Sequence, residues 1–233
     1  SPRLIRRKPP PIPDAKRRLP QRMLEASLTR LQTEMVDLYL VHWPDQNVDI
    51  RKTMETLVRA QERGLIRYIG LSNTHAEDLN KAREVGVVDV VQFEASFLNP
   101  TALDTLMLTQ DLTQMGVMSW GTLAKGILTG RVTRDRTFST LDVRNAAPWW
   151  VNADHEPSFE IMDRLKPFLS EHGHTGLELA MGYLLHQSVV DTLLCGVRTR
   201  AQLDSAIESL EHLPEPDVIR QALQIRDEVL DQG

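Results

Sequence analysis

A single cysteine, Cys195, stands among 233 residues. That excludes an intrachain disulfide framework and a cysteine-built zinc site, and it suits a reducing cytoplasm. No apolar run approaches the roughly 20 residues that span a bilayer, and Ser1-Pro2-Arg3 opens no signal-peptide core. A soluble cytoplasmic protein is expected. A basic excess is lacking too: 27 Lys plus Arg face 32 Asp plus Glu, a net charge of −5, which argues against bulk nucleic-acid affinity. No glycine-rich dinucleotide fingerprint follows the first apolar strand pattern. The histidine pair His172 and His174 lies between two helical patterns without carboxylate support, so no metal site is expected.

What is present is the balance of an ordinary globular domain, 41% hydrophobic and 25% charged residues. Its length favours one domain over two. Charge is unevenly spread. Residues 1–30 hold nine basic and two acidic residues, +7, which leaves −12 for the rest. Pro9, Pro10, Pro11 and Pro13 remove backbone donors there, so residues 1–19 read as a basic, Pro-rich arm and 20–233 as the folded domain.

From residue 20 onward helical and strand patterns alternate. Helices are expected over 20–33, 49–62, 74–84, 101–115, 157–171, 175–187, 199–210 and 216–230. Strands are expected over 36–42, 66–71, 88–93, 117–120 and 192–195, the first of them a buried strand. Thr74 and Thr199 are the candidate N-caps, and Gly64 and Gly86 the helix ends. An irregular stretch separates 121 from about 154. Units of 25–30 residues with parallel strands fit either an open doubly wound sheet or a closed barrel. The polar residues sit just beyond the C-terminal ends of several strands: His42, Ser72-Asn73, Gln92, Trp120-Gly121 and Gly196-Val197-Arg198. That placement is the habit of TIM-type (β/α) barrels.

Those strand ends carry a resemblance. Val36-Asp37-Leu38-Tyr39-Leu40-Val41-His42-Trp43-Pro44, then Gly64-Leu65-Ile66-Arg67-Tyr68-Ile69-Gly70-Leu71-Ser72-Asn73, then Gln92 follow one another at a characteristic spacing. Thr122-Leu123-Ala124-Lys125-Gly126-Ile127-Leu128-Thr129-Gly130 and Gly196-Val197-Arg198 with Gln202 complete the series. The series resembles the aldo-keto reductase family over nearly the whole chain from residue 20. The resemblance implies an NADP-dependent oxidoreductase acting on a small carbonyl compound. His42 would orient the carbonyl oxygen, and Ser72, Asn73 and Gln92 would hold the nicotinamide carboxamide. Trp120 would stack on the ring. Gly121, Leu123 and Gly126, with Gly196 and Gln202, would hold the phosphates beside the helix opened by Thr199. Arg198 and Arg200 would take the extra phosphate of NADP. Trp43, Trp149 and Trp150 are the candidate walls of the substrate pocket.

The family pattern is also departed from. Leu4-Ile5-Arg6-Arg7-Lys8 looks like the strand that bears the family's catalytic lysine, with Lys8 lying 34 positions before His42. The opening strands, with the family's aspartate and proton-donating tyrosine, have no counterpart before it. An incomplete barrel of about six of the eight strands is therefore expected, an N-terminally truncated member. Its uncovered edge would be closed by the basic arm, a partner or a second copy, so a homo-oligomer is expected. Ser205 and Ala206 stand where the family has an acidic residue and an asparagine beside adenine, so NADP binding would be weakened or lost. Two alternatives stay open. One is a non-redox enzyme (dehydratase, cyclase or isomerase) using His42 as acid or base. The other is an inactive binding or regulatory subunit on the same scaffold.

Overall fold

The expected alternation is realised in the computed structural model, which describes residues 19–101, 104, 105 and 111–231. Lys8, its strand and the basic arm lie outside the described residues. The chain divides into two compact units, Ser1–Asp89 and Val90–Gly233. In the first, α1 (Leu19–Leu31), β1 (Val36–Val41), α2 (Ile50–Glu62), β2 (Ile66–Ser72) and α3 (Ala76–Arg83) follow in order. The second contains β3 (Val90–Glu94), β4 (Gly116–Trp120), a short α4 (Pro148–Val151), α5 (Glu156–Glu171), α6 (Gly176–Leu185), β5 (Thr192–Leu193), α7 (Arg200–Ser209) and α8 (Pro216–Leu230). The pairs β1–β2, β3–β4 and β4–β5 are all parallel, which suits strands joined through helices.

The core of the first unit is the stripe Ile50, Met54, Leu57 and Ala60 of α2, packed on β2 with Leu24 of α1 and Leu79 and Ala82 of α3. α2 starts where Asp49 accepts a hydrogen bond from the Arg51 N–H and ends at Gly64, whose φ of 72° only glycine adopts without strain. In the second unit α6 is buried on nearly all sides, Leu179 through Leu184. A capping box fixes its start: Thr175 accepts from the Glu178 N–H, and Glu178 accepts from the Thr175 N–H. Phe97 is sandwiched between the edge of Tyr183, with centroids 5.4 Å apart, and the guanidinium of Arg226, which also donates to the Phe97 carbonyl at 3.0 Å.

Four expectations are corrected. β1 is only half-buried, with Asp37 exposed; among the described residues its one partner strand is β2. α3 is capped at His75 rather than Thr74, because the Thr74 hydroxyl donates back to the Ser72 carbonyl at 3.2 Å. The expected helix 101–115 does not reach its end. Asp111 accepts from both the N–H and the hydroxyl of Thr113 and turns the chain there. β5 stops at Leu193 because the Leu194 carbonyl accepts from the Thr122 hydroxyl, 3.2 Å away.

One device recurs. Just before β3, Asp89 exchanges two bonds with Ile69: its N–H donates to the Ile69 carbonyl (2.8 Å), and its carboxylate accepts from the Ile69 N–H (2.8 Å). Just before β5, Asp191 does the same with Val117 (2.9 and 2.7 Å). A carboxylate here takes the place of a ladder carbonyl, a charge-assisted bond that fixes where the strand begins.

Candidate active site

In the first unit the C-terminal ends of β1 and β2 bring together His42, Ser72 and Asn73. Val41 pairs with Leu71 in register, so the residues that follow leave the sheet side by side. Asn73 sits at φ 54°, a left-handed conformation that asparagine tolerates better than most side chains. Its amide donates to the His42 carbonyl (2.9 Å) and the Ser72 hydroxyl (3.0 Å). Asn73 therefore fixes the main chain that carries the imidazole. Ser72 is fully buried, whereas His42 and Trp43 are exposed, their rings 6.2 Å apart. A depression of this unit lies between α1 and α2 and includes Leu65, at the opposite end of β2 from these residues.

In the second unit the parallel register sets Gln92 beside Met118 and Glu94 beside Trp120. Alternation along the strands then puts Gln92, Glu94, Met118 and Trp120 on one face, with Val91, Phe93, Val117 and Ser119 buried on the other. Beyond Trp120 the chain turns at Gly121, φ 77°, where a Cβ would lie 3.0 Å from the Glu94 Cγ. Ala124, Lys125 and Gly126 then occupy left-handed backbone in succession, at φ 45°, 59° and 100°. Two of these are not glycine, so the turn stores strain that its surroundings must hold. Lys125 is held at both ends. Its ammonium donates to Glu94 (2.9 Å) and lies 5.5 Å from the Trp149 ring centre, while its carbonyl accepts from Arg144 at 2.8 Å.

Arg144 belongs to a charged cluster that sequence reasoning missed. Asp142, buried, accepts from the Arg144 N–H (3.1 Å), Nε (2.9 Å) and Nη2 (2.8 Å), and from Nη1 of Arg198 (3.3 Å). The Arg144 guanidinium also lies 4.0 Å over Phe138. Arg144's side-chain and backbone hydrogen bonds first, then the positive charges of Arg144 and Arg198, hold the Asp142 carboxyl well below the usual carboxylate range. The signal that could have found the pair is local: an Asp two residues before an Arg, the spacing of an Asx turn whose arginine folds back on its own cap.

At the start of α7, Thr199 accepts from the Gln202 N–H (3.2 Å), and the Gln202 side-chain carbonyl accepts from the Arg198 N–H (2.7 Å). Gln202 thus closes the helix start. Arg200 is 92% exposed and pairs only loosely with Asp204, at 3.5 Å. Gly196 has open space where a side chain would stand. Cys195 is half-buried, and burial pushes its thiol up, which keeps it protonated. Trp149 is exposed, while Trp150 stacks on His155 at 3.9 Å and meets the Phe138 edge-on at 5.5 Å. His172 bonds and stacks on its own helix end at Phe168, and among the described residues no three His, Cys, Asp or Glu gather as metal ligands. No helix among the described residues is long and apolar enough to cross a membrane.

The sequence model described as "Aldo/keto reductase family" matches residues 7–226. The chain is 31% identical over 196 residues to aldo-keto reductase YhdN of Bacillus subtilis (strain 168), covering 79% of this chain and 56% of that protein. It is 26% identical over 188 residues to the NADH-specific methylglyoxal reductase of Escherichia coli (strain K12), covering 79% and 57%. It is 29% identical over 173 residues to aldo-keto reductase yakc [NADP(+)] of Schizosaccharomyces pombe (strain 972 / ATCC 24843), covering 72% and 50%. It therefore spans about half the length of the curated relatives it matches. Among solved structures, the glycerol dehydrogenase AKR11B4 from Gluconobacter oxydans superposes with a TM-score of 0.78 at 26% identity, over 95% of this chain and 66% of that one. The parallel strands, the intervening helices and that superposition give an α/β fold of TIM-type barrel architecture, of which five strands are described. With a family match over 7–226, this chain belongs to the aldo/keto reductase family.

Proposed function

We propose that the chain is an NADP-dependent oxidoreductase of the aldo-keto reductase type, acting on a small carbonyl compound. The observation that carries the reading is in the second unit. Three bonds, Thr122 to Leu194, Arg144 to Lys125 and Arg198 to Asp142, tie the turn after β4 to the start of α7. Those are the two segments from which a dinucleotide's phosphates would be held, and both end in exposed cationic groups. The donor set fits: a ten-residue helix opened by the Thr199 cap, two arginines at that end, and open space at Gly196. Relatives divide between NADH and NADP(+) in their names, so the choice rests on this chain's own Arg198 and Arg200.

Bound there, the dinucleotide supplies a hydride. The chain's residues do the rest. By the family resemblance, Ser72 of the first unit and Gln92 of the second would hold the carboxamide, and Trp120 would offer its flat face to the ring. His42, its main chain anchored by Asn73, donates a hydrogen bond to the carbonyl oxygen as negative charge develops. Lys8 adds a positive charge to the same reading, and Trp43, Trp149 and Trp150 border the substrate. Association with a second copy or partner is part of the proposal, supported by the exposed apolar residues Leu203 and Ile207 of α7 and Leu210 just past its end. A monodisperse monomer on size exclusion overturns that part.

The test is a titration with NADPH followed by tryptophan fluorescence. Saturable quenching is expected. Its absence removes hydride transfer and leaves the non-redox use of His42 or a binding role. In turnover of a small aldehyde, His42→Ala is expected to cost about 10²- to 10⁴-fold in kcat; unchanged turnover overturns the role given to His42.

A further inference from the structure

We propose that Asp142 is a positioning residue that presents the Arg198 guanidinium to the extra phosphate of NADP, and so sets this chain's preference for NADP over NAD. The inference rests on the dinucleotide reading above and goes further by naming what makes the arginine selective.

The cluster holds two guanidiniums for one carboxylate. Arg144 alone satisfies Asp142: it reaches both oxygens with its side chain and caps one with its N–H, its remaining arm goes to the Lys125 carbonyl, and its face lies on Phe138. Arg144 is fully employed and only 18% exposed. Arg198 is the surplus cation. Among the described residues its guanidinium makes one bond, from Nη1 to Asp142, and 68% of the side chain faces solvent.

That single tether has a defined consequence. An exposed arginine samples many rotamers, and ordering them on binding an anion costs entropy. Holding Nη1 on a buried carboxylate restricts the side chain beforehand. It leaves the opposite edge, Nε and Nη2, as a two-pronged donor of the kind that fits a phosphate. Asp142 stays ionised throughout the physiological range because its hydrogen bonds hold it there, so the tether does not switch off near neutral pH. The cluster keeps a net positive charge, which draws an anion in rather than repelling it. Arg198 also directly precedes Thr199, the cap of α7, so the tethered fork stands at the positive end of the helix. NAD lacks the extra phosphate and gains nothing from this arrangement.

The full chain is titrated with NADPH and with NADH by tryptophan fluorescence, as wild type, Asp142→Asn, Arg198→Met, the double variant and Arg198→Lys. Asp142→Asn and Arg198→Met are each expected to weaken NADPH about tenfold and to leave NADH within about twofold. The double variant is expected to show the same preference for NADPH over NADH as Arg198→Met alone, because the carboxylate sets that preference only through Arg198. Arg198→Lys keeps the charge, but a lysine cannot serve the carboxylate and two phosphate oxygens at once, so it too is expected to lose the preference. This arm decides the matter if Asp142→Asn does not fold. The proposal is overturned if Asp142→Asn weakens both dinucleotides alike or tightens NADPH, if the two losses add, or if Arg198→Lys keeps the preference. A wild type that binds neither dinucleotide sinks the functional reading and this inference together. A wild type that binds NADPH, with variants unchanged in preference, sinks this inference alone.

Discussion

Each unit carries an Asp-x-Arg pair with the same local geometry and a different fate. In the first, Asp49 caps α2 and accepts from the Arg51 N–H and side chain, and Arg51 reaches on to a second acid, Glu84, at 3.0 Å. In the second, Asp142 accepts from Arg144 in the same way but takes a second arginine. One cluster is two acids around a cation, the other two cations around an acid. The side chains of Asp49 and Arg51 are 35% and 43% exposed, those of Asp142 and Arg144 5% and 18%. Water screens the first pair, which serves a helix end; protein surrounds the second, which joins three segments. An identical two-residue spacing thus yields a cap or a weld, depending on what is packed over it.

The largest effect that would sharpen the contrast between the units comes from their glycines. A Cβ at Gly176, the first residue of α6, would collide with the Leu128 carbonyl oxygen, which is backbone and cannot rotate away. Gly176→Ala is expected to cost about 3 kcal/mol or more in chemical denaturation. At Gly86 in the first unit the obstacle is a methyl of Val58, 2.6 Å away. Gly86→Ala is expected to cost about 1 kcal/mol as that side chain yields. Equal losses would break the comparison.

The aspartate clamps should instead behave alike. Asp89→Ala and Asp191→Ala each leave a main-chain N–H without its carboxylate, and each is expected to lower stability by about 1–2 kcal/mol. A twofold difference would show that one clamp is backed by something the other lacks.

Acid gives the smallest and most local effect. Arg51 holds Asp49 down to about 2 from an ordinary value near 3.8. A depressed folded value means that the contribution is complete above about pH 4 and is lost as pH falls towards 2. Asp142 is held lower still by Arg144. In hydrogen exchange on a falling pH series, the start of α2 is expected to lose protection before the turn at 142–145. The reverse order would overturn the ranking of the two pairs.

Much of the architecture was legible because it is periodic or punctuated. Pro216 at a helix start and the apolar spacing behind it mark α8 to the residue, and Thr199 reads correctly as a cap because its hydroxyl accepts the Gln202 N–H inside the helix start. Thr74 misled because its hydroxyl had a carbonyl to bond behind it. Gln92 lies in the middle of β3 rather than beyond its end, because pairing with β4 runs on to Glu94, while Trp120 closes β4; the register sets the two on one face. The charged cluster was not legible. Asp142 and Arg198 are 56 positions apart, and neither sits in a repeating pattern, so only folding brings them within reach. Glu94 and Lys125, 31 apart, escaped for the same reason.

The Asp191 clamp has a consequence for how such a protein changes over generations. A ladder pinned by one carboxylate persists when only Thr192 and Leu193 remain in it, so pairing no longer depends on the run of residues that comes next. Leu194 still donates to the Ser119 carbonyl (2.8 Å), but the stretch from Cys195 to the α7 cap belongs to no described strand. It can drift in composition while its point of departure stays put.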